Sequence, residues 1–242
     1  MRLPAVAVSA TLALALLAPL AAWPQEATIR KNIAERMPDF PKIDEVSKTP
    51  IAGLYELRIG TEVLYTDETG SHIIQGSIYD TKSRTNLTDE RIDRLTAIDF
   101  KQLPLADAIV WKQGTGERKI AVFEDPNCSY CKKFERDLNQ VKDVTVYMFL
   151  YPILGPDSAE KSRHIWCAKD RAAAWRGWML ENAPIPRSMG NCDTSALNRN
   201  LAFGKKHRIS GTPSIIFEDG KRVPGAVGTE AIEKQLVASR GK

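Results

Sequence analysis

Histidine and cysteine are both scarce in this chain: three and four, respectively, in 242 residues. His72, His164 and His207 stand far apart, so no second close pair of ligands is on hand to complete a zinc site around any two cysteines. Charge of one sign is lacking too. The 34 Lys and Arg and 30 Asp and Glu leave a net +4, evenly spread, which argues against a nucleic-acid partner. Internal repeats and low-complexity tracts are absent, and the 43% hydrophobic and 26% charged content is that of a globular protein.

Long hydrophobic runs are missing after the opening segment, MRLPAVAVSATLALALLAPLAAWPQEA. There Arg2 precedes an apolar run from Ala5 to Ala22, which is short for a membrane span and ends in small residues. Residues 1–22 are therefore read as a cleavable secretory signal, and no second run predicts stable membrane insertion. Losing Arg2 takes the net charge from +4 to +3. Secretion places the four cysteines, Cys128, Cys131, Cys167 and Cys192, where disulfides persist.

After the signal, Ile29, Ile33, Ala34 and Met37 recur at helical spacing from Ala27 and stop at Pro38. GLYELRIG, EVLYTDETG and HIIQGSIYDT then alternate apolar and polar residues between turn signals, predicting an antiparallel sheet of about three strands. In the next segment Thr88 is expected to cap a helix over 88–103. Asp89 and Glu90 fall in its first turn, Ile92, Leu95 and Ile98 lie on one face, and Pro104 stops it. Few other apolar residues lie on it, so it reads as a solvated connector between two domains. From Lys119 a buried strand, KIAVFED, runs into a helix and then the strand VTVYMFLYP, a βαβ unit. Long helical stretches over about 158–181 and 195–207, a hairpin at Asp219-Gly220 and a last helix from Thr229 to Ser239 complete the chain.

At the end of the first of those strands stands DPNCSYCKKF. Cysteines at this spacing can hold a metal, staple a turn or exchange electrons. Metal lacks the further ligands, and so small a loop barely restricts the unfolded chain. Electron exchange suits the position, because a thiolate is the nucleophile and the first turn of a helix favours an anion. Cys128, at the strand-to-helix junction, is the expected attacking thiolate. Cys131, one turn further in and more buried, is expected to resolve a mixed disulfide. Cys167 and Cys192, 25 residues apart, read as a structural disulfide contributing about 3 kcal/mol, with a second catalytic pair as the alternative. Thr212-Pro213, before an apolar strand, suggests a cis peptide that leaves the backbone of Thr212 open to a bound chain, provided the proline lies near Cys128.

These features resemble the thioredoxin fold. HIIQGSIYD, AEKSRHIWCAKD and SGTPSIIFEDGKRVPG, spread over both halves of the chain, resemble more narrowly the bacterial DsbC/DsbG family of periplasmic disulfide isomerases. The resemblance implies an α+β/α/β architecture: a small N-terminal α+β, cystatin-like dimerisation domain over 27–85, a linker helix over 88–103, and a thioredoxin-like catalytic domain with a helical insertion over 105–242. It implies Cys128 as nucleophile and Cys131 as resolving thiol. Ser129, Tyr130, Thr212 and Pro213 would then lie against the substrate, and Cys167 with Cys192 would be the structural disulfide. It further implies a homodimer in the periplasm, misfolded disulfide-containing secreted proteins as substrates, the membrane reductase DsbD as partner, chaperone activity beside catalysis, and no cofactor or metal.

Three departures from the family pattern stand out. Ser129-Tyr130 replaces the Gly-Tyr or Pro-Tyr dipeptides. Val122 occupies the strand position, six before the first cysteine, where many thioredoxins carry an acid. Ile153 stands where some relatives have arginine. An oxidase that rests with the pair as a disulfide, and a holdase whose thiols are incidental, are the alternative functions. The added N-terminal domain favours the isomerase.

Overall fold

The computed structural model describes residues 24–187 and 190–241; the expected signal, residues 1–22, lies outside them. Two compact units divide the chain, the first ending at Ile78 and the second beginning at Tyr79. Among the described residues no helix is long and apolar enough to cross a membrane, and no group of three or more His, Cys, Asp or Glu is placed to hold a metal.

The first unit is one helix, α1 (Pro24–Arg36), on an antiparallel sheet of β1 (Glu45–Lys48), β2 (Leu54–Ile59), β3 (Glu62–Asp67) and β4 (Ile73–Ile74), in that order. Ile29 and Ile33, four apart and so on one helix face, bury against Ile43, Leu57 and Leu64. Leu57 and Leu64 are direct cross-strand partners, which sets the inward face of the sheet. The sheet thus has four strands where alternation predicts three. The short EVSK segment of β1 carries a single apolar residue, too weak a period to read. HIIQGSIYDT is also not one strand: its second half leaves the sheet and enters the second unit as β5 (Tyr79–Asp80), paired with β6 (Thr85–Asn86).

In the second unit α2 (Leu87–Thr96) is capped by Asn86 rather than Thr88. The Asn86 side-chain oxygen accepts from Thr88 N at 3.1 Å and Asp89 N at 3.2 Å, while Thr88 is itself buried. The helix also ends at Thr96, short of Leu103. The next residues leave helical geometry so that Ile98 can bury, its N–H donating to Gly220 O at 2.9 Å. Gly220, at φ +85°, allows that approach; a Cβ there would lie 3.2 Å from Ile98 O.

The central sheet takes β7 (Ile109–Gln113), β8 (Arg118–Glu124), β9 (Val144–Leu150), β10 (Ser214–Phe217) and β11 (Arg222–Pro224) in the order β11-β10-β8-β9-β7. Only the β8–β9 pair is parallel, joined by the crossover helix α3 (Ser129–Leu138). The helices α4 (Pro156–Trp166), α5 (Arg171–Arg176), α6 (Ser195–Lys206) and α7 (Thr229–Ala238) complete the unit. The single helix expected over 158–181 is therefore broken: α4 ends at the disulfide-bonded Cys167, and α5 runs into a π-turn over Gly177–Glu181.

β8 is buried on both faces, as its unbroken apolar run requires. Ile120 and Val122 face α3, Trp175 and α7, whereas Ala121 and Phe123 face Ile98, Phe100 and Phe149. Phe123 stacks on Phe149 at 4.6 Å and on Phe203 at 5.7 Å. This two-sided core holds the end of β8, and with it the turn leading into α3, in a fixed place.

Candidate active site

The turn from β8 into α3 is built around one carboxylate. Asp125 is fully buried and accepts four hydrogen bonds: from Asn127 N at 2.8 Å, Ile153 N at 2.8 Å, Leu154 N at 2.9 Å and Ser158 Oγ at 2.7 Å. The first closes the DPN turn on itself, and the others tie it to the loop after β9 and to α4. Trp178 adds a bond from its indole N–H to Pro126 O at 2.6 Å. The ammonium groups of Lys132 and Lys161 lie 4.2 and 4.7 Å from the centroid of the Trp178 ring.

That turn delivers Cys128 to the N-cap of α3, where its sulfur accepts from Cys131 N at 3.4 Å. Cys128 is 6% exposed, Cys131 is fully buried, and both are free thiols. The Thr212–Pro213 peptide bond is cis, and the Cys128 thiol lies 3.3 Å from Thr212 O, to which it donates when protonated. Tyr130 is 67% and Leu154 55% exposed, so the rim of the pair is apolar and open to solvent. Ser129 begins α3 and is exposed as well. A disulfide joins Cys167 to Cys192, with Cα atoms 5.9 Å apart.

The two thiols of the pair are driven apart in acidity. Cys128 is lowered to about 5, first by its hydrogen bond with the Cys131 side chain, then by the Thr212 side chain and the Cys131 and Tyr130 N–H groups, against the opposing effect of burial. Burial, and then the hydrogen bond with Cys128, push Cys131 far above the ordinary thiol range. The arrangement provides one thiolate just within reach of solvent and one thiol held in reserve beneath it.

A thiol whose folded pKa is depressed binds more protons unfolded than folded, so it stabilises the reduced protein increasingly as pH rises from about 5 to the ordinary value of 9.0. The raised Cys131 acts oppositely only above that window. Urea unfolding of the reduced and oxidised forms should therefore show reduced-minus-oxidised stability growing between about pH 5 and pH 8; a flat difference would contradict the shift.

The sequence alone assigns no role to Asp125, Glu124, Glu135 or Trp178. Glu124 does carry a signal: it shares the α3-facing side of β8 with Ile120 and Val122, where a charge is out of place. Trp178, in a turn whose conformation the periodicity does not give, leaves none.

Comparison with known proteins agrees with this geometry. Residues 105–239 match the thioredoxin-like domain family, and residues 20–89 match the N-terminal domain of disulfide bond isomerase proteins. The chain is 41% identical over 213 residues to the probable thiol:disulfide interchange protein DsbC of Bordetella pertussis, covering 88% of this chain and 75% of that protein. It is 32% identical over 191 residues to the thiol:disulfide interchange protein DsbC of Escherichia coli, covering 76% and 77% respectively. Among solved structures, the disulfide interchange protein of Neisseria gonorrhoeae superposes with a TM-score of 0.54 at 34% identity, covering 58% of this chain and all of that one. An N-terminal domain of the isomerase type followed by a thioredoxin-like domain carrying a CxxC pair at a helix N-cap leads to one conclusion: the chain belongs to the DsbC family of thiol:disulfide interchange proteins.

Proposed function

We propose that this protein is a periplasmic disulfide isomerase in which Cys128 attacks non-native disulfides of secreted proteins. The observation that carries the reading is the Cys128 sulfur at the N-cap of α3, its thiolate favoured by the Cys131 thiol and nearby N–H groups while Cys131 stays protonated beneath it. Attack on a substrate disulfide forms a Cys128–substrate bond and releases one substrate thiolate. That thiolate either attacks another sulfur of the substrate, which rearranges the pairing, or Cys131 displaces the substrate and leaves it reduced. Thr212, beside Cys128, offers its backbone to the substrate chain, with Pro213, Ser129 and Tyr130 completing the contact surface.

The other parts have matching roles. The first unit makes a homodimer, a reading supported by its small sheet with edge strands β1 and β4. The segment with α2 links it to the catalytic unit, and the Cys167–Cys192 bond closes the helical insertion. The membrane reductase DsbD returns the pair to the dithiol form, and the exposed apolar rim serves a chaperone activity on unfolded chains.

Trapping tests the reading. With Cys131→Ser, substrate proteins should accumulate as reducible adducts on Cys128 in cells, and the wild-type pair should be found mainly reduced. Absence of adducts would refute the attack by Cys128, and a pair found mainly as the disulfide would make the protein an oxidase instead.

A further inference from the structure

Two carboxyl groups lie in the core beneath the cysteine pair. Strand alternation puts Glu124 on the α3 side of the sheet, and Cys131 and Glu135, four apart on α3, share its buried stripe. Glu124 and Cys131 are fully buried and Glu135 nearly so. Glu124 lies within hydrogen-bond reach of both the Glu135 carboxyl and the Cys131 thiol, and Glu135 Oε1 accepts the Trp175 indole N–H at 2.6 Å. The groups facing this pair are Cys128 and Cys131 on the Glu124 side, and Trp175 and Arg176 on the Glu135 side.

Two carboxylates this close and this dry cannot both ionise, because each would face desolvation and the other's charge. Burial raises both acids, but the hydrogen bond from Glu124, the indole and Arg176 favour the charge on Glu135 whereas Glu135 opposes it on Glu124, so Glu124 keeps the proton. Val122 leaves the strand position six before Cys128 without an acid; the buried acids here are on other positions and on two elements.

We propose that Glu124 and Glu135 form a proton relay that deprotonates Cys131 when the mixed disulfide is resolved. The proton on Cys131 Sγ passes to Glu124, whose own proton moves to Glu135. The Cys131 thiolate then attacks Cys128 Sγ; the Cys128–Cys131 bond forms, the Cys128–substrate bond breaks, and its electron pair leaves on the substrate thiolate. The cysteine pair is oxidised and the substrate disulfide reduced. Both carboxyls stay neutral until an incoming dithiol reduces the pair, when the stored proton returns to Cys131. The relay rests on the reading of Cys131 as the resolving thiol.

Fast mixing of the reduced full-length protein with dithiobis(nitrobenzoate) separates the steps. The first thionitrobenzoate release reports attack by Cys128, the second attack by Cys131 on the mixed disulfide. In the wild type the second phase should change little between about pH 6 and pH 8. In Glu124→Gln it should fall on the order of 10²-fold at neutral pH and climb about tenfold per pH unit, with the first phase unchanged and Glu124→Asp restoring the flat profile. Should Glu124→Gln fail to fold, Glu135→Gln keeps an oxygen for the indole and should still slow the second phase about tenfold, by removing the final acceptor.

A second phase unaltered by either substitution overturns the relay, as does a wild-type second phase that itself climbs tenfold per pH unit, or an equal fall in both phases. Cys131→Ser separates the two readings. If it abolishes the second phase, Cys131 is the resolving thiol and the other variants judge the relay; if the second phase survives, the reading of Cys131 fails and the relay with it.

Discussion

Cys128→Ser is expected to abolish disulfide isomerisation, lowering the rate at which a scrambled secreted protein regains activity on the order of 10³-fold or more. The substitution isolates chemistry from structure. Serine is a strong N-cap residue and replaces the sulfur with an oxygen that can still accept from Cys131 N, so α3 keeps its start. What is lost is the anion: a serine hydroxyl does not ionise near neutral pH and cannot exchange with a disulfide. A substrate that recovers equally fast with this variant would show that the thiols are incidental and leave a holdase.

Asp125→Ala should have the largest effect on stability. Its carboxylate is buried and accepts three backbone N–H groups and the Ser158 hydroxyl, so truncation leaves several donors without a partner at once. Each partly buried donor left unsatisfied costs about 1–3 kcal/mol before relaxation, and a combined loss of about 4 kcal/mol is expected. The same change frees the DPN turn from the loop after β9, so the Cys128 sulfur loses its fixed relation to Thr212 and the isomerisation rate should drop about tenfold. Urea unfolding with parallel activity measurements checks both. Asp125→Asn, which keeps one acceptor oxygen, should fall between the variant and the wild type, and an Asp125→Ala protein as stable as the wild type would remove Asp125 from this role.

How far the site was legible depended on whether a residue's surroundings are local. The strand KIAVFED, the CxxC pair and the helix after it are contiguous, and the apolar run and the amphipathic spacing that follows are enough to place Cys128 at the junction. Asn86 outcompetes Thr88 as the cap because two residues with capping side chains stand two apart, and only the backbone geometry decides between them. The break at Cys167 and the π-turn after α5 come from packing of the insertion, which a helical period cannot register. Glu124 illustrates the limit best. Its place on the inward face can be counted from the alternation of β8, but that it meets Glu135, and that Trp175 arrives from 40 residues downstream to bond the second acid, is long-range information. The family resemblance fills this gap for the thioredoxin-like fold and says nothing of these two acids, since Val122 breaks the pattern it would have supplied.

The claim that a stabilised Cys128 thiolate drives the chemistry is tested most directly by titrating the ultraviolet absorbance of thiolate in the reduced protein. One group should ionise with a midpoint near pH 5 in the wild type and in Cys131→Ser displaced upward, because the Cys131 thiol is the largest single contributor to the lowering, and the transition should vanish in Cys128→Ser. A wild-type midpoint near the ordinary thiol value of 9.0, or a low transition that survives Cys128→Ser, would contradict the account.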